Sequence, residues 1–210
     1  PDEISNTYGE MFSIEEFNNV IDAFNLCDWE SYRGFLRLGR KSRLNEQKRK
    51  ILWNCFNLVL QELKNQKKIT RHQLFHHAAE KLHLTGIKPY QNIIVDECQD
   101  ISVGHLRLLA AISGTGENSL FFAGDLGQRI FQKPFSWVQY GISIRGRSRI
   151  LRINYRTSQQ IRKKADLLLD SESNDADGNV QVRSNTISVI NGPSPQICQC
   201  RDKENEYQII

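Results

Sequence analysis

One short apolar run that ends in two acids constrains the fold of this chain more than any other feature. Residues 92–95, Asn-Ile-Ile-Val, are followed at once by Asp96 and Glu97. A short β-branched run of this kind is typical of a buried strand in a parallel sheet, which is covered on both faces. Residues 119–123 form a second apolar run, and residues 103–112 between them carry apolar side chains at helical spacing. Strands that alternate with helices predict an α/β fold.

The residues on either side of these strands predict further elements. Before residue 89, helices are indicated by the apolar stripe of residues 46–64 and by two segments with the form of a capping box, 13–16 and 70–73. Three histidines lie within residues 72–77, but no acid or cysteine is in register with them, so we expect a helix surface and no metal site. After residue 150, strands are predicted at 150–153 and 184–190, with a helix over 158–170 between them.

The basic residues are clustered, although the net charge of +4 is mild. Eight Lys or Arg residues lie within 33–50 against one acid, and eight more lie within 145–164 with no acid. Such runs are either solvated faces or surfaces that follow the phosphates of a nucleic acid, and the composition leaves both open.

The cysteine content and the hydropathy favour a cytoplasmic protein. Five cysteines occur at spacings that match no zinc site, which indicates reduced thiols. No secretory signal opens the chain, and no apolar run approaches the roughly 20 residues that span a bilayer. We therefore expect a soluble protein that does not bind a membrane. The missing initiator Met and the apolar last residues indicate a piece of a longer protein.

The acid pair after the first strand has the composition that nucleotide hydrolysis needs. The carboxyl end of a strand is where open α/β sheets bind ligands. One carboxylate is needed there for Mg²⁺, and a second can orient and deprotonate the attacking water. Asp96 and Glu97 could divide these two tasks, but an acid pair after an apolar run is weak evidence by itself.

Three segments in order resemble motifs of the UvrD/Rep-type superfamily 1 DNA helicases. Residues 95–100, Val-Asp-Glu-Cys-Gln-Asp, resemble motif II (DExQD). Residues 122–131, Phe-Ala-Gly-Asp-Leu-Gly-Gln-Arg-Ile-Phe, resemble motif III (GDxxQxIY). Residues 151–158, Leu-Arg-Ile-Asn-Tyr-Arg-Thr-Ser, resemble motif IV (NYRS). The resemblance is close over residues 92–165 and implies a partial RecA-like P-loop NTPase fold, a parallel sheet with flanking helices, preceded by a helical region.

The resemblance also implies roles at the ATP site. Asp96 would hold Mg²⁺ and Glu97 would be the catalytic base. Gln128 would sense the γ-phosphate of ATP, and Tyr155 would stack on the adenine. Arg156 would act as an arginine finger, a role that suits a planar guanidinium facing phosphate oxygens.

The remaining assigned residues would connect the ATP site with DNA. Gln99, Asp100 and Asp125 would couple the two, and Phe131 and Trp137 would stack on bases of single-stranded DNA. Ordinary structural alternatives stay open, since an acid such as Asp125 can cap a turn and a tryptophan is more often a core residue. Phe131 stands where motif III usually has a Tyr.

The resemblance implies three parts of the chain. Residues 1–88 would be a helical region, 1B-like with part of motor domain 1, and 89–150 would be the second half of RecA-like motor domain 1. Residues 151–210 would hold motif IV and the start of motor domain 2. A P-loop needs GxxxxGK(S/T) to hold the β- and γ-phosphates, and the 210 residues contain no Gly-Lys dipeptide. We expect the P-loop upstream of residue 1 in a longer parent.

The function expected from the resemblance is that of a fragment of an ATP-dependent 3′–5′ DNA helicase or translocase. Its cofactors would be ATP and Mg²⁺, and its partners would be single-stranded and double-stranded DNA, as in DNA repair. Alone, the fragment would be inactive. The alternative is a degenerate, non-hydrolysing helicase-like module that acts as a platform for binding nucleic acid or protein.

Overall fold

A computed structural model of the chain describes residues 9–37, 43–125, 135–167, 172–174, 180–182 and 186–209. The chain divides into two compact units, Pro1–Arg145 and Gly146–Ile210. The first unit contains helices followed by a pair of parallel strands, and the second contains another parallel pair with a helix against it. The predicted α/β class with parallel strands is confirmed.

The first part of unit 1 is helical, as the sequence predicts. Helix α1, Glu10–Glu16, continues into a π-helical turn, Phe17–Asp22, and is followed by α2, Trp29–Gly34, α3, Glu46–Asn65, and α4, Arg71–Thr85. The capping box predicted at 70–73 is confirmed at the start of α4.

The capping box predicted at 13–16 is wrong. Gly9 is the N-cap of α1, so Ser13 lies inside the helix. Its hydroxyl donates to the carbonyl oxygen of Gly9 at 3.4 Å. A serine hydroxyl can bond back one turn in this way, which the cap pattern alone does not distinguish from true capping.

A buried cluster of unit 1 forms where the π-helical turn, α2 and α3 meet. The α3 stripe is centred on Leu52 and Phe56, whereas Ile51 and Val59, which the helical spacing also assigned to it, are 41% and 44% exposed. Tyr32 is fully buried and stacks on Trp53 with ring centroids 6.0 Å apart. The buried cluster consists of Val20, Ile21, Tyr32, Leu52, Trp53 and Phe56.

A charged pair is buried beside this core. The Glu16 side chain is 0% exposed and the Arg37 side chain is 5% exposed. The Arg37 guanidinium donates Nε–H to Oε1 of Glu16 at 2.8 Å and an Nη2–H to Oε2 at 2.7 Å. The Tyr32 hydroxyl donates to Oε1 at 3.1 Å. Burial and the Glu16 carboxylate raise the pKa of the Tyr32 phenol far above its ordinary value.

Other members of the first basic run also bind protein groups. Arg33 forms exposed ion pairs with Glu30 and Glu46 at 3.3 and 3.4 Å. The Lys50 ammonium lies 4.5 Å from the centroid of the Trp29 ring. The Arg49 guanidinium donates to three main-chain carbonyl oxygens near the end of α2, those of Tyr32, Arg33 and Phe35. Part of the basic run therefore stabilises the fold. Neither the solvated face nor the phosphate-binding surface that the sequence left open includes this role.

The second part of unit 1 is a strand–helix–strand segment. Strand β1, Ile93–Val95, lies parallel to β2, Leu120–Phe122, and helix α5, Val103–Ile112, connects them. A 3₁₀ turn, Cys98–Asp100, lies between β1 and α5. In the register, Ile93 is opposite Leu120 and Val95 is opposite Phe122. The two predicted strands are thus neighbours, and their carboxyl ends meet at one edge.

Helix α4 packs on α5 through a buried histidine, so the predicted helix-surface role is wrong for His76. His76 is 1% exposed. Arg107 of α5 donates to its Nδ1 at 2.9 Å, and because a guanidinium can only donate, Nε2–H donates to the Ala23 carbonyl at 3.0 Å. Burial, with the Arg107 charge, lowers the pKa of the His76 imidazole. No cluster of three metal-binding side chains occurs within the described residues.

Unit 2 is built around strand β3, Ile153–Ser158, and helix α6, Gln159–Asp166. Short strands β4, Glu172–Asn174, and β5, Val180–Val182, pair antiparallel, and β6, Ile187–Ile190, pairs parallel with β3. The predicted strand at 150–153 is displaced toward the carboxyl end, because pairing begins only at Ile153. Helix α7, Lys203–Ile209, ends the described chain. In the described ranges, no helix has the length and apolar character needed to cross a membrane.

Candidate functional site

The acid pair lies directly after β1, at the edge where β1 and β2 end. Glu97 has a left-handed backbone, with φ 52° and ψ 42°. Its main-chain N–H donates to Oδ1 of Asp96 at 2.9 Å. Both acidic residues are exposed. The sharp turn at Glu97 therefore leaves two carboxylates accessible at the end of one strand.

The buried amide of Gln99 joins the ends of the two strands. Gln99 is 4% exposed. Its Nε2–H donates to Oε2 of Glu97 at 2.6 Å, and its Oε1 accepts from the main-chain N–H of Asp125 at 3.1 Å. An amide side chain supplies both a donor and an acceptor, whereas a carboxylate supplies only acceptors. One side chain thus contacts both the Glu97 carboxylate and the segment that follows β2.

Gly124 makes this close approach possible. The main chain at Cys98 donates to the Ala123 carbonyl at 2.9 Å, which brings the turn against the end of β2. A Cβ atom at Gly124 would lie 2.8 Å from the Cys98 nitrogen and 2.9 Å from its sulfur, and it would overlap Oε1 of Gln99. Glycine is the residue that permits such an approach between backbones.

An open cleft of about 410 Å³ begins at the acid pair. Its lining includes acids that follow β1 and residues of α5. Among the described residues, the lining consists of Val95, Asp96, Glu97, Asp100, Ile101, His105, Leu108 and Leu109.

The sequence interpretation missed His105 in this cleft. Its Nδ1 accepts from the main-chain N–H of Ser102 at 3.1 Å, so it completes a capping box at the start of α5. Its ring lies against Phe75, with centroids 4.2 Å apart. Burial lowers the pKa of the His105 imidazole, and the charges of Arg71 and His72 lower it further. The signal was the spacing Ser102-x-x-His105, in which histidine stands where glutamate or glutamine is usual.

The structure brings four of the assigned residues together at this edge: Asp96, Glu97, Gln99 and Asp125. Asp100 lines the cleft beside them. Two other assigned residues, Gln128 and Phe131, lie outside the described residues.

Trp137 is in the core of unit 1. It is 2% exposed, and its ring packs against Phe122 of β2 with centroids 4.7 Å apart and planes at 65°. This position agrees with the structural alternative that the sequence left open. Stacking on DNA bases would require the indole to be uncovered, so that role stays a prediction.

In unit 2, the two assigned residues lie in a bulge of β3. Tyr155 is 70% exposed, and Arg156 is exposed beside it. Asn154 pairs with Ser188 and Ser158 pairs with Ile190, so β3 has two more residues than β6 between these pairs. The bulge therefore contains an exposed tyrosine followed directly by an exposed arginine.

The side chain of Asn154 organises this bulge. Its Oδ1 accepts from the main-chain N–H of Arg156 at 2.8 Å and of Thr157 at 3.2 Å. Its Nδ2 donates to Oγ1 of Thr157 at 2.9 Å. In the sequence, Asn154 is distinguished only as the first residue of the segment that resembles NYRS, and no role was predicted for it.

Comparison with known proteins gives one partial similarity. No protein-family model matches the chain. The chain is 28% identical over 89 residues to one of the subunits of an ATP-dependent helicase/nuclease from Lactobacillus johnsonii. The match covers 39% of this chain and 7% of that relative, so the chain spans only a small part of the relative's length. The similarity supports a relationship to helicases.

Proposed function

We propose that this chain is part of an ATP-driven DNA helicase or translocase of the UvrD/Rep type, moving 3′–5′ on single-stranded DNA. The observation that carries the proposal is the Gln99 amide, which holds the Glu97 carboxylate and the Asp125 main chain at once. This contact joins the segments that resemble motifs II and III. The partial similarity to a helicase/nuclease protein supports the same assignment.

In this proposal, the exposed acid pair performs the hydrolytic chemistry. Mg²⁺ takes oxygen ligands and is usually held by one or two carboxylates, with waters and phosphate oxygens completing its shell, so Asp96 fits this role. A bound Mg²⁺ would neutralise charge on the phosphates. Gln99 holds one oxygen of Glu97, and the other would accept a proton from the attacking water.

The phosphate cradle is assigned to residues outside these 210, because no Gly-Lys dipeptide occurs among them. The exposed face of the β1–β2 pair is consistent with this. Ile94 and Phe121 are opposite each other in the register and are 77% and 61% exposed. Parallel sheets are normally covered on both faces, so we assign the P-loop segment of a RecA-like domain to this face.

The first test is Glu97→Gln in the full-length natural polypeptide that carries these residues. We expect the DNA-stimulated kcat for ATP to fall by about 10²–10⁴-fold, because an amide cannot take up the proton. ATP binding should change little, since the side chain keeps its size and an oxygen for Gln99. Single-turnover hydrolysis and equilibrium ATP binding measure the two effects separately.

A matched control is Glu117→Gln, which neutralises an exposed acid in the loop before β2. It should leave both measurements at the wild-type level. Unchanged turnover in Glu97→Gln would show that Glu97 is not the base.

A second candidate function is a non-hydrolysing platform for nucleic acid or protein, and the missing Gly-Lys dipeptide is the observation that favours it. The two candidates differ in one measurable property. A motor requires the full-length polypeptide to contain a P-loop and to bind ATP, whereas a platform requires neither. Equilibrium binding of ATP with Mg²⁺ to that polypeptide separates them.

A further inference from the structure

We infer that Asn154 is a positioning residue, whose amide holds the bulge that presents Tyr155 and Arg156 to a nucleoside triphosphate. The inference rests on the proposed function, because it assumes that these two residues meet ATP. It assigns a role to a side chain that does not itself contact the nucleotide.

The backbone of β3 departs from regular pairing over the bulge. In a regular ladder, the main-chain N–H groups of β3 would find carbonyl oxygens on a neighbouring strand. Over the bulge, the register with β6 is broken between Asn154 and Ser158. Oδ1 of Asn154 replaces the missing acceptor for the N–H groups of Arg156 and Thr157. Loss of that oxygen would remove the acceptor that both N–H groups use in the structure.

The contacts of the Asn154 amide determine its orientation. An asparagine could place either its oxygen or its nitrogen toward the backbone. Main-chain N–H groups can only donate, so the amide oxygen must face those of Arg156 and Thr157, and the Nδ2–H is left to donate to Oγ1 of Thr157. Asn154 and Thr157 thus brace the bulge at its two ends, with Tyr155 and Arg156 between them.

The bulge leaves two consecutive side chains accessible. Adjacent side chains of a regular strand point to opposite faces of the sheet, and a bulge changes this alternation. Here both Tyr155 and Arg156 are exposed, on consecutive residues. A phenol ring can stack on a purine, and a planar guanidinium binds phosphate oxygens with two parallel hydrogen bonds. The pair therefore fits a purine nucleotide with a polyphosphate chain.

The test uses the full-length polypeptide with ATP and compares Asn154→Ala, Asn154→Asp and Thr157→Val. Asn154→Ala should lower kcat by about 10²-fold, the loss expected when a catalytic group is displaced by about 1 Å. Asn154→Asp keeps an acceptor for both N–H groups and should retain most of the wild-type kcat. Thr157→Val removes only the contact of its hydroxyl with Nδ2 of Asn154 and should have an intermediate effect.

A double substitution separates positioning from a merely structural role. In an Arg156→Ala background at saturating ATP, Asn154→Ala should cause no further loss of kcat, because Arg156, the positioned residue that acts on the chemical step, is already absent and Tyr155 contributes to ATP binding. Hydrogen exchange at the amides of Arg156 and Thr157 should accelerate in Asn154→Ala and stay slow in Asn154→Asp.

Two outcomes overturn the inference alone: wild-type kcat in Asn154→Ala while Arg156→Ala is inactive, or a further loss in the double variant equal to that in the single one. If Arg156→Ala keeps wild-type turnover, the proposed role of Arg156 fails as well.

Discussion

Replacing Arg156 by alanine in the full-length polypeptide is expected to lower the kcat for ATP by about 10³–10⁵-fold, the loss typical of a missing arginine finger. The reason is electrostatic, since the guanidinium would stabilise charge that develops on the transferred phosphoryl group. ATP binding should fall much less, because most of that interaction exists only in the transition state. Single-turnover hydrolysis at saturating ATP and DNA measures the chemical step.

Arg149→Ala is the matched control for this prediction. Arg149 belongs to the same basic run, is exposed, and lies before β3 instead of in the bulge. It should keep the wild-type kcat, and any effect should be confined to DNA binding at low salt. Equal losses in the two variants would mean that the positive charge of the region matters and that the position of Arg156 does not.

A second large effect is expected on stability, from Glu16→Ala. This change leaves the Arg37 guanidinium and the Tyr32 hydroxyl without the acceptor that they share. Breaking a buried ion pair from one side typically costs about 3–5 kcal/mol. The three tryptophans all lie within residues 1–145, so urea unfolding followed by tryptophan fluorescence reports on unit 1.

Two comparisons make the stability prediction specific. Glu30→Ala removes an exposed partner of Arg33, and it should lower the free energy of unfolding by no more than about 1 kcal/mol. The double variant Glu16→Leu with Arg37→Met replaces both charges by apolar groups and should recover much of the loss. A small effect of Glu16→Ala, similar to that of Glu30→Ala, would show that water reaches the pair and compensates for it.

The local features of the fold were predictable because they depend on neighbours in the sequence. The apolar runs before Asp96 and Gly124 predicted the two parallel strands, and the cap at Thr70 predicted the start of α4. The capping box at Ser13 failed because the same four residues fit a helix that begins one turn earlier. Local sequence patterns thus predict that an element exists more reliably than they predict the residue at which it begins.

Contacts between distant segments were not predictable from the sequence. The burial of His76 depends on the Ala23 carbonyl and on Arg107, which come from two other elements. The engagement of Arg37 with Glu16 likewise depends on tertiary packing and not on the basic run. At the candidate site, the resemblance identified the acid pair, but the contact of Gln99 with the main chain after β2 depends on the register of the two strands.

The left-handed backbone at Glu97 affects which residues evolution can favour at this position. That conformation suits glycine or asparagine better than glutamate, whose Cβ makes it costly by about 1–2 kcal/mol. If Glu97 is the base, as proposed, folding and hydrolysis favour different residues at the same position. Among natural relatives, we expect lineages that have lost turnover to drift toward glycine or asparagine there, while active lineages keep the acid. The identity of this single residue would then distinguish relatives that hydrolyse ATP from relatives that keep only the fold.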